Sequence, residues 1–213
     1  LAMILDNLLP MKTIFNNDDS VALGFNPTFD WPSGSYPTNW STWSGAAPTK
    51  ETSIVRVGSA SVRYAATGTN VGMQRQVLFT SSPLPVGTFL AGSIDMYLVA
   101  YTSGKPLILI DLITNSGNTT YVRVEVPITN TTTGSWQRVP WSARVATGQQ
   151  IYGIRIYVMG CWTTATAGAF TGTVIFDNMR FMLADSTTDN KNISVSSTGV
   201  LSGAGGGEIM PFA

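Results

Sequence analysis

Nine side chains in this sequence combine charge, hydrogen-bonding capacity and aromatic surface at alternating positions. They are Asp95, Tyr97 and Tyr101 in SIDMYLVAY, Asp111 in PLILIDLI, Tyr121, Arg123 and Glu125 in TYVRVEV, and Arg155 and Tyr157 in IYGIRIYVM. Together these types can recognise sugar. Aromatic rings stack on the flat C–H patches of a pyranose, and carboxylate and guanidinium groups pair with its hydroxyls. The same residues also suit a solvated face laced with cross-strand ion pairs, each worth ~1 kcal/mol or less. A third reading is glycoside hydrolysis by a carboxylate pair drawn from Asp95, Asp111 and Glu125. Arginines beside a carboxylate favour its charged form, the wrong state for a general acid, so this third reading is the weakest.

Other chemistry is limited by what the chain lacks. With no histidine, the usual Ser-His-Asp and Cys-His arrangements and imidazole-bound zinc are absent. Cys161 is the sole cysteine and closes no intramolecular disulfide. Twelve basic and twelve acidic residues balance, and only 11% of the chain is charged, so nothing marks a nucleic-acid or anionic-membrane partner. No apolar run approaches the ~18 residues of a membrane span; the richest, Leu107 to Ile113, is interrupted by Asp111. The glycines at 203 and 205–207 have neither the strand-to-helix context nor the lysine of a phosphate loop.

The elements that must carry the nine residues read as short strands. Apolar/polar alternation between turn clusters predicts strands near 52–57, 61–66, 72–80, 88–101, 106–114, 120–128, 136–145, 151–159 and 172–183. That pattern predicts an all-β fold, an antiparallel β-sandwich. Ile94, Met96, Leu98, Ile108, Ile110, Leu112, Val122, Val124, Val126, Ile154, Ile156 and Val158 belong between its sheets. If the strands are neighbours, the nine polar and aromatic residues share one outward face. Phe25, Phe29, Trp31, Tyr36, Trp40 and Trp43 mark residues 25–50 as a long loop anchored to the core by its aromatics. Trp162 and Phe170 either cap the sandwich end or offer a contact to sugar or a neighbouring subunit. The expected organisation is a lead-in over 1–12, the sandwich over 13–184, and a flexible Gly/Ser-rich linker or the start of another segment over 185–213.

Two stretches carry a resemblance. NPTFDWPSGSYPTNW followed by VRVGSASVRY resembles the opening of jelly-roll carbohydrate-binding modules, on Asn26, Phe29, Asp30, Trp40, Gly58 and Ser61. GSWQRV, IYGIRIYVMG and GTVIFDNMRF resemble their closing strands. The likeness covers 25–183. It implies a jelly roll, no catalysis, and a structural calcium joining the first and last strands, whose ligands would be Asp30 and Asp177. Asp30 stands where that family usually has Glu, a shorter arm. NLLP near the start and ISVSSTGVLSGAGGGEI near the end are similar to segments of long-tailed bacteriophage tail-tip (host-specificity) and tail-fibre proteins. That likeness implies a module of the virion tail that meets host surface polysaccharide beside other tail proteins, within a homotrimer. A purely structural spacer, or the binding module of a glycoside hydrolase, are the alternatives it leaves open.

Overall fold

The computed structural model describes residues 19–79, 81–164, 167–185, 194–195 and 201–202. Among them are a helical turn, α1 (Asp19–Ala22), and twelve strands. Ten of these strands build two five-stranded antiparallel sheets packed as a jelly-roll sandwich. The front sheet runs β1 (Ser41–Ser44), β4 (Val71–Leu78), β9 (Gly153–Cys161), β6 (Leu107–Ile113) and β7 (Tyr121–Pro127) in lateral order. The back sheet runs β2 (Thr49–Glu51), β3 (Ser61–Thr67), β10 (Thr171–Asp185), β5 (Thr88–Ser103) and β8 (Trp136–Arg144). A small third sheet pairs β11 (Ser194–Val195) with β12 (Leu201–Ser202). The lead-in at 1–12 and most of the Gly-rich segment at 185–213 lie outside the described residues.

The period-2 pattern places the core as expected. Ile94, Met96 and Leu98 of β5 meet Ile108, Ile110 and Leu112 of β6 and Ile154, Ile156 and Val158 of β9 in one buried cluster. Burying each such side chain contributes roughly 1.5–3 kcal/mol. The aromatic segment closes the sandwich. Phe25, Phe29, Trp31 and Trp40 are buried in the same cluster, and Phe25 meets Phe181 edge-on at 5.0 Å. The indoles keep their donors satisfied: Trp40 Nε1 donates to the Phe25 carbonyl at 2.8 Å and Trp31 Nε1 to the Gly34 carbonyl at 2.9 Å. Phe29 adopts a left-handed backbone, φ 49°, which a bulky residue rarely does. The Asn26 side chain holds this turn, accepting from the Asp30 N–H at 2.8 Å and donating to the Asp30 and Thr38 carbonyls.

Two expectations are corrected. Residues 52–57 form no strand, despite the apolar run Ile54–Val55. Their backbone donors go to carboxylates instead of a ladder: Ser53 and Ile54 donate to Glu51, and Arg56 and Val57 to Asp177. Strand β1 lies inside the segment read as a loop and β2 straddles its end; at four and three residues they are too short for periodicity to reveal. The strands expected from residue 61 onward are all present.

Close approach between the sheets depends on Gly160 in β9. A Cβ built there would lie 2.5 Å from Cβ and Cγ of Tyr64, which reaches across from β3. Gly160→Ala is therefore expected to destabilise by about 1–3 kcal/mol through overpacking. Urea denaturation would show it as a lowered midpoint with an unchanged slope.

Candidate functional site

The structure divides the nine residues between two outward faces. Asp111, Tyr121, Arg123, Glu125, Arg155 and Tyr157 come together on the front sheet, because β6 pairs with both β7 and β9. Asp95, Tyr97 and Tyr101 do not join them, since β5 lies in the back sheet between β10 and β8. The expected single face is thus corrected. Alternation gives the face of each side chain, but jelly-roll connections cross between sheets and decide which sheet each strand enters.

Asp111 organises the front face. It is fully buried on the outward side of β6, directly opposite Arg123 of β7 and Arg155 of β9. Arg123 grips it bidentately, Nε to Oδ1 at 2.7 Å and Nη2 to Oδ2 at 2.8 Å. The Tyr157 hydroxyl donates to Oδ2 at 2.8 Å and accepts from Arg155 Nη1 at 3.0 Å. Arg155 also donates through Nε to Gln76 Oε1 and through Nη2 to Asn118 Oδ1, the latter at 3.1 Å. The β6–β7 turn delivers Asn118: Asn115 Oδ1 accepts from the Thr119 and Thr120 N–H groups, and Asn118 takes a left-handed φ of 56°. Donating to Asp111 raises the Arg123 guanidinium above its ordinary pKa. Tyr157 is pushed up to about 12, first by burial; its bond from Arg155 opposes the rise and that to Asp111 adds to it.

Tyr157 is not a contact residue, because its ring is covered. Trp43 of β1 stands edge-on to it at 4.9 Å, and Trp162 approaches Trp43 at 6.0 Å. Beneath them Leu107, Leu109, Met159 and Ala167 form a second buried cluster. Gly72 leaves room for it, since a Cβ there would fall 2.3 Å from Met159 Sδ. A register shift between Thr42 and Ser44 marks a bulge at Trp43. The sequence groups Trp43 with the aromatics expected to anchor the loop to the core. Trp43 is instead 37% exposed on the front face, and the clue available was its polar flanks, Ser41, Thr42 and Ser44. Tyr121, at the far edge of the face, is 45% exposed beside the Arg123 guanidinium, 5.0 Å from the ring centre. Trp162 and Phe170 divide between two roles: Phe170 is buried in the main core, while Trp162 packs against the outer cluster. Cys161 ends β9, buried and unpaired.

The two implied calcium ligands sit in unlike surroundings. Asp177 is fully buried, and its oxygens accept three backbone N–H bonds: from Arg56 at 2.7 Å, Val57 at 3.1 Å and Asn178 at 2.6 Å. Burial nonetheless raises its pKa. Asp30 is exposed and lies against Gly58. Among the described residues no group of three or more His, Cys, Asp or Glu is placed to hold a metal ion. Backbone N–H donors already take three of the roughly four lone-pair sites of the Asp177 carboxylate, which leaves it little to offer a hard cation.

Comparison with known proteins gives likeness of fold. No family model and no curated protein matches the chain. The C-terminal family 22 carbohydrate-binding module of Clostridium thermocellum Xyn10B is 14% identical, with a TM-score of 0.50 over 74% of this chain and 92% of that one. A xylan-binding domain of the same family is 15% identical, with a TM-score of 0.50 over 74% and 92%. The enzymatically active domain of tailspike protein 4 of bacteriophage CBA120 is 14% identical, with a TM-score of 0.49 over 69% of this chain and 20% of that one.

Three measurements follow from the site. Asp111→Asn removes the buried charge that two arginines face and is expected to cost about 3 kcal/mol, the lower end for a broken buried pair because both guanidiniums reach solvent. Tyr157 holds its proton longer when folded than when unfolded. Its contribution is therefore complete below pH ~10 and lost as pH rises toward about 12. Difference absorbance titration of wild type against Tyr157→Phe should show one phenol ionising later than ordinary tyrosines. Melting temperatures in chelator and in millimolar calcium should coincide.

Proposed function

We propose that this chain is a non-catalytic polysaccharide-binding module whose front face stacks an uncharged glycan between Trp43 and Tyr121. The observation that carries this reading is an exposed tryptophan held edge-on over Tyr157, beside the network around Asp111. Trp43 supplies the stacking surface and Trp162 supports it. Tyr121 offers a second ring, steadied by Arg123. Gln74, Gln76 and Asn118 lie between or beside them and supply hydrogen-bonding groups for hydroxyls. Because the network is already bonded, little side-chain freedom is lost when a sugar arrives. Arg123 and Arg155 are turned onto Asp111 and mostly covered, which suits a neutral ligand. Two solved domains that share the fold bear names describing carbohydrate or xylan binding, which agrees with the reading.

Hydrolysis on this face is disfavoured by the state of Asp111. It is buried, and Arg123 and Tyr157 occupy its oxygens. A general acid or nucleophile must reach the glycosidic bond.

The wider setting rests on the resemblance of the chain's ends to phage tail proteins. In this proposal the module serves a virion tail tip or fibre, meets host surface polysaccharide, and is repeated threefold in the intact protein. Avidity then offsets weak single-site affinity. Affinity electrophoresis through gels containing xylan, galactan or host polysaccharides tests the core of the reading. Retardation of the wild type should weaken roughly 10- to 30-fold in Trp43→Ala, the loss of one buried aromatic anchor. No retardation by any neutral glycan would instead favour a spacer.

A further inference from the structure

The back sheet carries a separate cluster. Asp95 of β5 is buried, and three side chains surround its carboxylate. Arg138 of β8, directly opposite, donates from Nε at 3.0 Å and Nη2 at 3.3 Å. Asn178 of β10 donates from Nδ2 at 2.8 Å, and Arg56 Nε lies at 3.5 Å. Asn178 Oδ1 in turn accepts from Arg180 Nε at 2.8 Å. Two guanidiniums therefore meet one buried carboxylate, a third reaches it only through Asn178, and the cross-strand neighbour Asp177 is already satisfied by backbone N–H groups.

Separate backbone devices converge on this spot. The 52–57 loop, pinned by Asp177, brings Arg56. A bulge in β10 between Asp177 and Arg180 inserts Asn178, which takes a left-handed φ of 49°. The Arg56 and Arg138 side chains remain 51% and 55% exposed, and neither the Nη groups of Arg56 nor Nη1 of Arg138 meets an acceptor among the described residues. Two register positions along, and so on the same face, Tyr97 and Trp136 pair edge-to-face at 5.5 Å, both half-buried. Solvent thus meets guanidinium and ring, not carboxylate.

We infer that this back face is a second glycan site, specific for sugars that carry an anionic group, a carboxylate or a phosphate. Arg56 and Arg138 receive the anionic oxygens through their outward N–H groups, and the Tyr97–Trp136 pair stacks the adjoining ring. Asp95 touches no ligand; it orients the two arginines. This site is independent of the front face.

Affinity electrophoresis of the whole chain through gels holding polygalacturonate, a phosphodiester teichoic acid, or neutral xylan tests it. The wild type should be retarded by at least one anionic polymer, and the two anionic arms distinguish carboxylate from phosphate. Retardation should fade in 1 M salt, where screening acts over about 3 Å. Arg56→Gln, which leaves the Arg138–Asp95 bond intact, should weaken it about tenfold. Arg56→Lys should retain most of it, and Trp43→Ala should leave it unchanged. No retardation by either anionic polymer overturns the proposal, whatever xylan does. So does equal retardation of wild type and Arg56→Gln with matching melting curves, or anionic binding that Trp43→Ala abolishes.

Discussion

A carboxylate taken out of water must be met by positive charge or by N–H donors, and this constraint shapes both outer faces of the sandwich. Asp111 on the front, and Asp95 and Asp177 on the back, are all buried on sides of sheets that ordinarily face solvent. Each is answered differently. Asp111 takes a bidentate arginine, a second arginine and a phenol. Asp95 takes two arginines and an amide. Asp177 takes three backbone donors and thereby fixes the course of the 52–57 loop, some 120 residues earlier in the chain. The ladder of β6 with its two neighbours is what lets Asp111 be served from both sides at once.

What was legible in the sequence follows from the range of each interaction. Alternation is local, so the inward set from Ile94 to Val158 reads correctly, and so do the strands that carry it. Sheet membership is not local. Nothing within SIDMYLVAY shows that β5 enters the back sheet while PLILIDLI enters the front one, so nine residues read as one face prove to be two. The run Ile54–Val55–Arg56–Val57 has the composition of a strand, yet its donors are claimed by Glu51 and by the distant Asp177. Trp43 shows the same limit: it stands among aromatics that do enter the core, and its place against Tyr157 depends on the pairing of β1 with β4, which is remote in sequence.

The two faces differ in what they present. On the front, a hydrophobic floor of Leu107, Leu109, Met159 and Ala167 supports Trp43 and Trp162, and the arginines beside it are mostly covered. On the back, acids lie beneath and arginines lie above, so one sheet offers apolar surface with neutral polarity and the other offers cations beside a smaller aromatic pair. A chain of zero formal net charge can therefore hold two surfaces of unlike electrostatic character, because burial decides which member of each ion pair solvent meets.

Stability alone does not account for the front network. Replacing a buried ion pair with well-packed apolar residues of similar volume is often neutral or stabilising by about 1–4 kcal/mol. The front sheet already holds an apolar cluster on the same side, at Leu107, Leu109 and Met159, and that cluster could extend through position 111 without leaving the strand. Instead the strand places a charge there, and four further side chains, Arg123, Arg155, Tyr157 and Gln76, are committed to satisfying that charge and its partners. A face built only to be stable, or only to be soluble, needs no such arrangement, since solubility is met by exposed charges and stability by the floor. A fixed polar array beside a fixed indole meets a third requirement, that of matching an ordered pattern of hydroxyls next to a flat ring, and it favours the binding reading of this surface over the spacer.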